Sequence, residues 1–163
     1  MAELSAAVLT DPLTGLLNRR GFIQAAEREL ARARRHGHTF ALAYVDVRGL
    51  KLVNDTAGHL AGDTLLRRTA QLLRETARAD DAVARLGGDE MALLLVEQGE
   101  RAAAAVTSRI RQGVERHRAL LPVDAPWDLT VGTATYPGDG DTVEELLRVA
   151  DQRLYEQRGI SLR

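Results

Sequence analysis

Residues 40–46 read Phe-Ala-Leu-Ala-Tyr-Val-Asp, FALAYVD. A nearly continuous apolar run from Phe40 to Val45 is the pattern of a strand buried on both faces. Asp46 closes it, and strand C-termini are where α/β folds place their chemistry. Upstream, Phe22, Ile23, Ala26, Leu30 and Ala33 recur at helical spacing and predict a helix from about Arg19 to His36, stopped by Gly37. Downstream, Leu65, Leu66, Thr69, Leu72 and Leu73 share one side of a helix predicted over Leu60 to Ala77. Val83 to Leu86 and Met91 to Val96 read as short strands around Gly87-Gly88, a tight hairpin in which both glycines are expected to use positive φ. A third helix is predicted over Arg101 to Arg118 and a strand over Leu129 to Thr135. In the last helix, Thr142 and Glu145 are placed as a capping box ahead of Leu146, Leu147, Ala150 and Leu154. This alternation predicts an α/β chain, specifically an α+β sandwich with helices flanking a central, mainly antiparallel sheet. Periodicity leaves the strand order open.

The chain has 163 residues, 45% hydrophobic and 28% charged, which suits one domain with one core. Residues 1–10 read as a residual linker helix, rich in alanine, and residues 11–163 as the domain. Between them Asp11-Pro12 forces a turn. A net charge of −1 argues against a surface that coats nucleic-acid polymers. There is no cysteine, so disulfides and thiolate metal sites are excluded, in keeping with a cytoplasmic setting. No apolar run approaches the roughly 20 residues of a membrane helix, and Met1 to Leu9 is too short and acidic for a signal peptide.

Chemistry concentrates in a few places. Asp46 and Asp89 lie at a strand end and a hairpin tip, so adjacent strands would bring both carboxylates to one metal-assisted phosphoryl-transfer site. Each acid alone is equally well read as a strand terminator. Glu90 beside Asp89 opens an otherwise apolar strand, an unfavourable place for acids that nothing uses. Gly87 and Gly88 permit a phosphate to approach the backbone, although a turn explains them equally well. Lys51 is the only lysine of the chain, and a compact ammonium suits a polyphosphate. Asn54 and Asp63 carry the acceptors and donors that a guanine edge requires, with Gly58 and His59 between them. Taken separately, Asn54-Asp55 also reads as a turn and Asp63 as a helix-dipole acid.

Four motifs then resemble one family. DVRGLKLVNDTAGHLAGD (Asp46 to Asp63) resembles the D-x-D-x-F-K-x-x-N-D-x-x-G-H-x-x-G-D segment of GGDEF domains, and RLGGDEM (Arg85 to Met91) their R-x-G-G-D/E-E-F signature. DPLTGLLNRRGF (Asp11 to Phe22) is similar to their D-x-L-T-G-L-x-N-R-R-x-F motif, and ADQRLY (Ala150 to Tyr155) to their late A-D-x-A-L-Y helix. The resemblance implies a nucleotide-cyclase or palm-like fold and a diguanylate cyclase, joining two GTP into cyclic di-GMP with release of two pyrophosphates. It implies two Mg²⁺ or Mn²⁺ ions per site on Asp46, Asp89, Glu90 and the Val47 carbonyl, with Asp89 also the candidate base. Lys51 would stabilise phosphate charge, and Gly87 and Gly88 would lie along the triphosphate. Asn54, His59 and Asp63 would form a guanine pocket lined by Leu13 and Leu66. Catalysis would require a homodimer, each domain bringing one GTP. Arg78 and Asp81 form the R-x-x-D pair that marks an inhibitory product site in the family.

The pattern is not followed everywhere. Arg48 stands for the second acid of D-x-D, and Leu50 and Met91 for phenylalanines. The family's γ-phosphate-gripping A-K-x-x-G-R run appears as Gln157 to Leu162, with Arg158 in the place of the lysine and Arg163 in that of the final arginine after a one-residue slip. These departures keep a second expectation in view, a catalytically weak domain that binds or senses GTP or cyclic di-GMP. Another nucleotide cyclase or a polymerase-like enzyme is disfavoured by Asp63.

Overall fold

Asn18 starts the first helix: its side-chain oxygen accepts from the Gly21 amide at 2.9 Å, supplying a partner to an amide that the helix itself leaves unpaired. The computed structural model describes residues 8–96, 99–121 and 126–161. Helix α1 spans Arg19–His36 and ends at Gly37, whose amide bonds the Ala33 carbonyl. It buries Phe22, Ala26, Leu30 and Ala33 of the periodic stripe, with Ile23 half-buried beside them. Of the expected N-terminal linker helix, residues 1–7 lie outside the described residues; Val8 and Leu9 form a turn and bend, and Thr10 bridges to Leu17.

Four strands follow the expected pattern: β1 (Phe40–Arg48), β2 (Ala82–Gly87), β3 (Glu90–Val96) and β4 (Asp128–Tyr136). They form one sheet in the order β2-β3-β1-β4, every neighbouring pair antiparallel. Strand β1 is central and buried on both faces, which is why its sequence shows no polar alternation. Ala41, Ala43, Val45 and Val47 enter one core, beneath helices α3 (His59–Thr76) and α4 (Gly99–Arg118). Phe40, Leu42 and Tyr44 enter the other, beneath α1 and α5 (Val143–Ser161). Thr69, grouped with the apolar side of α3, is fully buried; it accepts from the Trp127 indole at 3.1 Å and donates to the Leu65 carbonyl, so neither polar group is left unpaired.

Two local readings need correction. The hairpin does not rest on positive φ at Gly87 and Gly88, for neither glycine lies there. Gly87 pairs with Glu90, so the turn is Gly88-Asp89, and a Cβ on Gly88 would meet nothing within 4 Å. Neither turn geometry nor packing therefore demands glycine at 88; what the residue provides is open backbone. The capping box is also modified. The Thr142 hydroxyl oxygen accepts from the Glu145 amide at 3.1 Å, but the Glu145 carboxylate accepts from Asp141 N rather than from Thr142 N.

Candidate active site

Between β1 and α3 the chain forms an additional short helix, α2 (Leu50–Ala57), which carries Lys51 and Asn54. Gly58, at φ 91°, turns the corner into α3 in a conformation that other residues rarely adopt. At Gly62 a Cβ would sit 1.8 Å from Asn54 Oδ1. Glycine at 62 leaves room for the Asn54 side chain, which sets Asn54 of α2 beside the residue preceding Asp63 of α3. Asn54 and Asp63 are half-buried and His59 is exposed. Leu66 is 3% exposed within the core, and Leu13 packs against that same core. Lys51 is exposed in the first turn of α2.

Asp46 is 4% exposed at the end of β1, directly across from Glu90 on β3 and Thr130 on β4. The Val47 amide donates to the Asp89 carbonyl at 2.8 Å, which ties the turn to β1. A strand residue directs its N–H and C=O to the same side, so the Val47 carbonyl also faces the hairpin. The register thus brings together Asp46, Val47, Asp89 and Glu90. Burial, and after it the neighbouring Asp89 carboxylate, pushes the Asp46 carboxyl above its usual range against the pull of Arg158 and Arg48. Its Oδ2 is buried without a hydrogen bond and meets the Arg158 guanidinium at 3.3 Å as an ion pair only.

Among the described residues no three acidic or histidine side chains form a complete metal cage. The donors nevertheless fit a hard divalent cation shared with a nucleotide, because Mg²⁺ typically takes one or two carboxylates and completes its shell with phosphates and water. The Oδ2 of Asp46, buried without a hydrogen bond and facing only the Arg158 charge, is the donor that such a cation would engage.

Arg158, expected at the γ-phosphate, lies against Asp46. The segment beyond it is only partly described, and Arg163 lies outside the described residues. Three further residues were not singled out by the sequence. The Tyr44 hydroxyl donates to Glu90 Oε2 at 2.7 Å, and Arg19 lies 4.0 Å from the same oxygen. Burial, then the bond to Glu90, pushes the Tyr44 hydroxyl well above its usual range, so it remains a donor. Arg85 donates to the Gly88 carbonyl at 3.0 Å and pairs with Asp11 at 3.3 Å, bracing the turn. A buried tyrosine two residues before Asp46 was the available signal for Tyr44, since strand period two puts both on one face.

A cleft of about 510 Å³ runs along Gly87 and Gly88, with Arg19, Arg20 and Arg85 on its wall. Another, of about 380 Å³, lies at the far end of the sheet by Thr39, Gly99 and Tyr136, away from the carboxylates. Arg78 and Asp81 also sit at that far end. Asp81 is already engaged: its two oxygens accept from the Arg78 and Val96 amides, both at 2.9 Å, while the Arg78 side chain is exposed. No helix among the described residues is long and apolar enough to cross a membrane.

Comparison with known proteins follows the same line. Residues 8–160 match the family described as Diguanylate cyclase, GGDEF domain. MucR of Pseudomonas aeruginosa, a bifunctional diguanylate cyclase/cyclic di-GMP phosphodiesterase, is 35% identical over 156 residues, covering 96% of this chain and 23% of MucR. The diguanylate cyclase DosC of Escherichia coli is 38% identical over 147 residues, covering 89% of this chain and 32% of DosC. The chain thus spans a third or less of the length of these curated relatives. The structure of the coiled coil and GGDEF domain of DgcB from Caulobacter crescentus, in complex with c-di-GMP, matches with a TM-score of 0.82 at 28% identity, over 97% of this chain and 85% of that one. With the sheet, the hairpin and the helix corner all in place, the chain belongs to the GGDEF family of diguanylate cyclase domains.

Proposed function

We propose that this chain is a diguanylate cyclase that condenses two GTP into cyclic di-GMP. The observation that carries the reading is the convergence of Asp46, Asp89 and Glu90 at one end of the sheet, with a buried Asp46 oxygen that lacks a hydrogen bond among them. The 3′-hydroxyl of one GTP attacks the α-phosphorus of the other; a phosphodiester bond forms, the α–β anhydride bond breaks and pyrophosphate leaves. Asp89 is the candidate acceptor of the hydroxyl proton. A second, reciprocal attack closes the ring, so two domains act as a homodimer and proximity supplies much of the acceleration. Two Mg²⁺ or Mn²⁺ ions, held by Asp46, Asp89, Glu90 and the Val47 carbonyl, would neutralise developing charge.

Lys51 stabilises the phosphates, and the bare backbone at Gly87 and Gly88 lets them approach. Asn54, His59 and Asp63 read guanine, with Leu13 and Leu66 as its apolar floor. Cyclic di-GMP acts back as an inhibitor at Arg78 and Asp81. The cytoplasm, as the source of GTP, is the compartment of action.

Incubation with GTP and Mg²⁺, followed by chromatography of the products, is expected to yield cyclic di-GMP, and Asp89→Ala to abolish it. No turnover at high protein concentration would count against the reading. One observation favours a second reading, a nucleotide-binding domain with weak catalysis: Arg158 is engaged by Asp46 rather than held for a phosphate. Calorimetric GTP binding without turnover would support that alternative.

A further inference from the structure

The metal-site reading accounts for Asp46, Asp89 and Glu90 but leaves Tyr44 without a role. Tyr44 is 7% exposed, and its ring lies in the core beneath α1 and α5. It stands two residues before Asp46 on β1 and so projects from the same face of the strand. Asp46 is paired with Glu90 across β1 and β3, so Tyr44 and Asp46 flank Glu90 from one strand. The Glu90 side chain is 42% exposed at the first position of β3, where packing alone does not hold it. The hydroxyl of a core-locked ring, 2.7 Å from Oε2, does hold it, and Arg19 approaches that same oxygen from α1 at 4.0 Å.

We propose, resting on the metal-site reading above, that Tyr44 is a positioning residue for the divalent cation. Its hydroxyl fixes one oxygen of Glu90 and so preorganises that carboxylate beside Asp46. Groups that orient a ligating carboxylate change metal affinity by about 10–100-fold when removed, although they never touch the metal. A tyrosine that merely satisfied its own buried hydroxyl would, on losing it, change stability and leave metal affinity alone.

The test is Tyr44→Phe, which keeps the ring and removes only the hydroxyl. Mn²⁺ is titrated by electron paramagnetic resonance in the presence of a nonhydrolysable GTP analogue. The expected result is a loss of about tenfold in Mn²⁺ affinity, with unchanged affinity for the analogue in chelator by calorimetry. In a Glu90→Ala background, Tyr44→Phe should have no further effect on Mn²⁺. Mn²⁺ affinity equal to that of the parent chain would overturn the proposal alone, as would an undiminished effect in the Glu90→Ala background. Failure of the parent chain itself to bind Mn²⁺ would instead overturn the metal-site reading and this proposal with it.

Discussion

Arg85 and Asp11 form a 3.3 Å ion pair that ties β2 to the turn before α1, and the same guanidinium holds the Gly88 carbonyl. Burial raises the Asp11 carboxyl, but the Thr14 hydroxyl and amide, together with Arg85, outweigh it and hold the group below its usual range. A depressed carboxyl contributes stability above its unfolded value and loses it on acidification. Asp11→Asn should therefore destabilise the domain by about 2 kcal/mol at pH 7. The gap should narrow as the pH falls below the usual carboxylate range. Urea unfolding at several pH values would measure both.

Asp139 offers a second pH test. The Arg153 guanidinium, aided by the Thr135 amide and hydroxyl, pulls its carboxyl down to about 2. This contribution is complete above the ordinary value of 3.8 and is lost as the pH falls through about 2. Asp139→Asn is expected to lower stability by about 1 kcal/mol at neutral pH, after screening by solvent. Melting curves of parent and variant should converge toward pH 2.

Asp46 is disfavoured as a carboxylate by its own surroundings, for it is buried, its Oδ2 lacks a hydrogen bond, and the attraction of Arg158 and Arg48 does not offset burial with Asp89 and Glu90 nearby. Asp46→Asn should abolish cyclic di-GMP formation and yet raise the melting temperature in chelator by about 2–4 °C, as an approximately 1 kcal/mol relief would in a domain of this size. A lower melting temperature in chelator would contradict this account.

Gly62→Ala places a methyl group where Asn54 now lies. Since the Asn54 side chain must then turn away from α3, the KM for GTP should rise about tenfold with kcat largely retained, the signature of lost binding common to ground and transition states. Steady-state kinetics would separate the two constants.

At the far end of the hairpin, Arg78 and Asp81 should part company. Asp81→Ala strips partners from two backbone amides and should cost about 1–2 kcal/mol of stability, whereas Arg78→Ala should stay within about 0.5 kcal/mol. Both should raise the concentration of cyclic di-GMP needed for half-inhibition. Full inhibition of Arg78→Ala would dismiss the inhibitory assignment.

How legible these features were in the sequence follows from the range of the interactions involved. Helix α1 could be read because the apolar stripe and Gly37 are both local signals, and β1 because burial on both faces leaves an uninterrupted apolar run. Helix α2 was ambiguous: its eight residues bury none fully, so Leu50 and Val53 alone cannot produce a clear period. Strand order, and with it the pairing of Asp46 with Glu90, depends on contacts between residues far apart in the chain. The Tyr44 hydroxyl bond depends on that register in turn.

The sheet separates two cores, and the proposed ligand groups fall on both sides of it. Glu90 and Asp46 emerge above the layer of α1 and α5, while Asn54 and Asp63 belong to the helical layer opposite. On the proposed function, a guanine nucleotide gripped by its base and its phosphates would straddle the strand ends like a clasp. Loosening either helical layer would open that clasp, so nucleotide occupancy should fasten the two halves into a single melting unit.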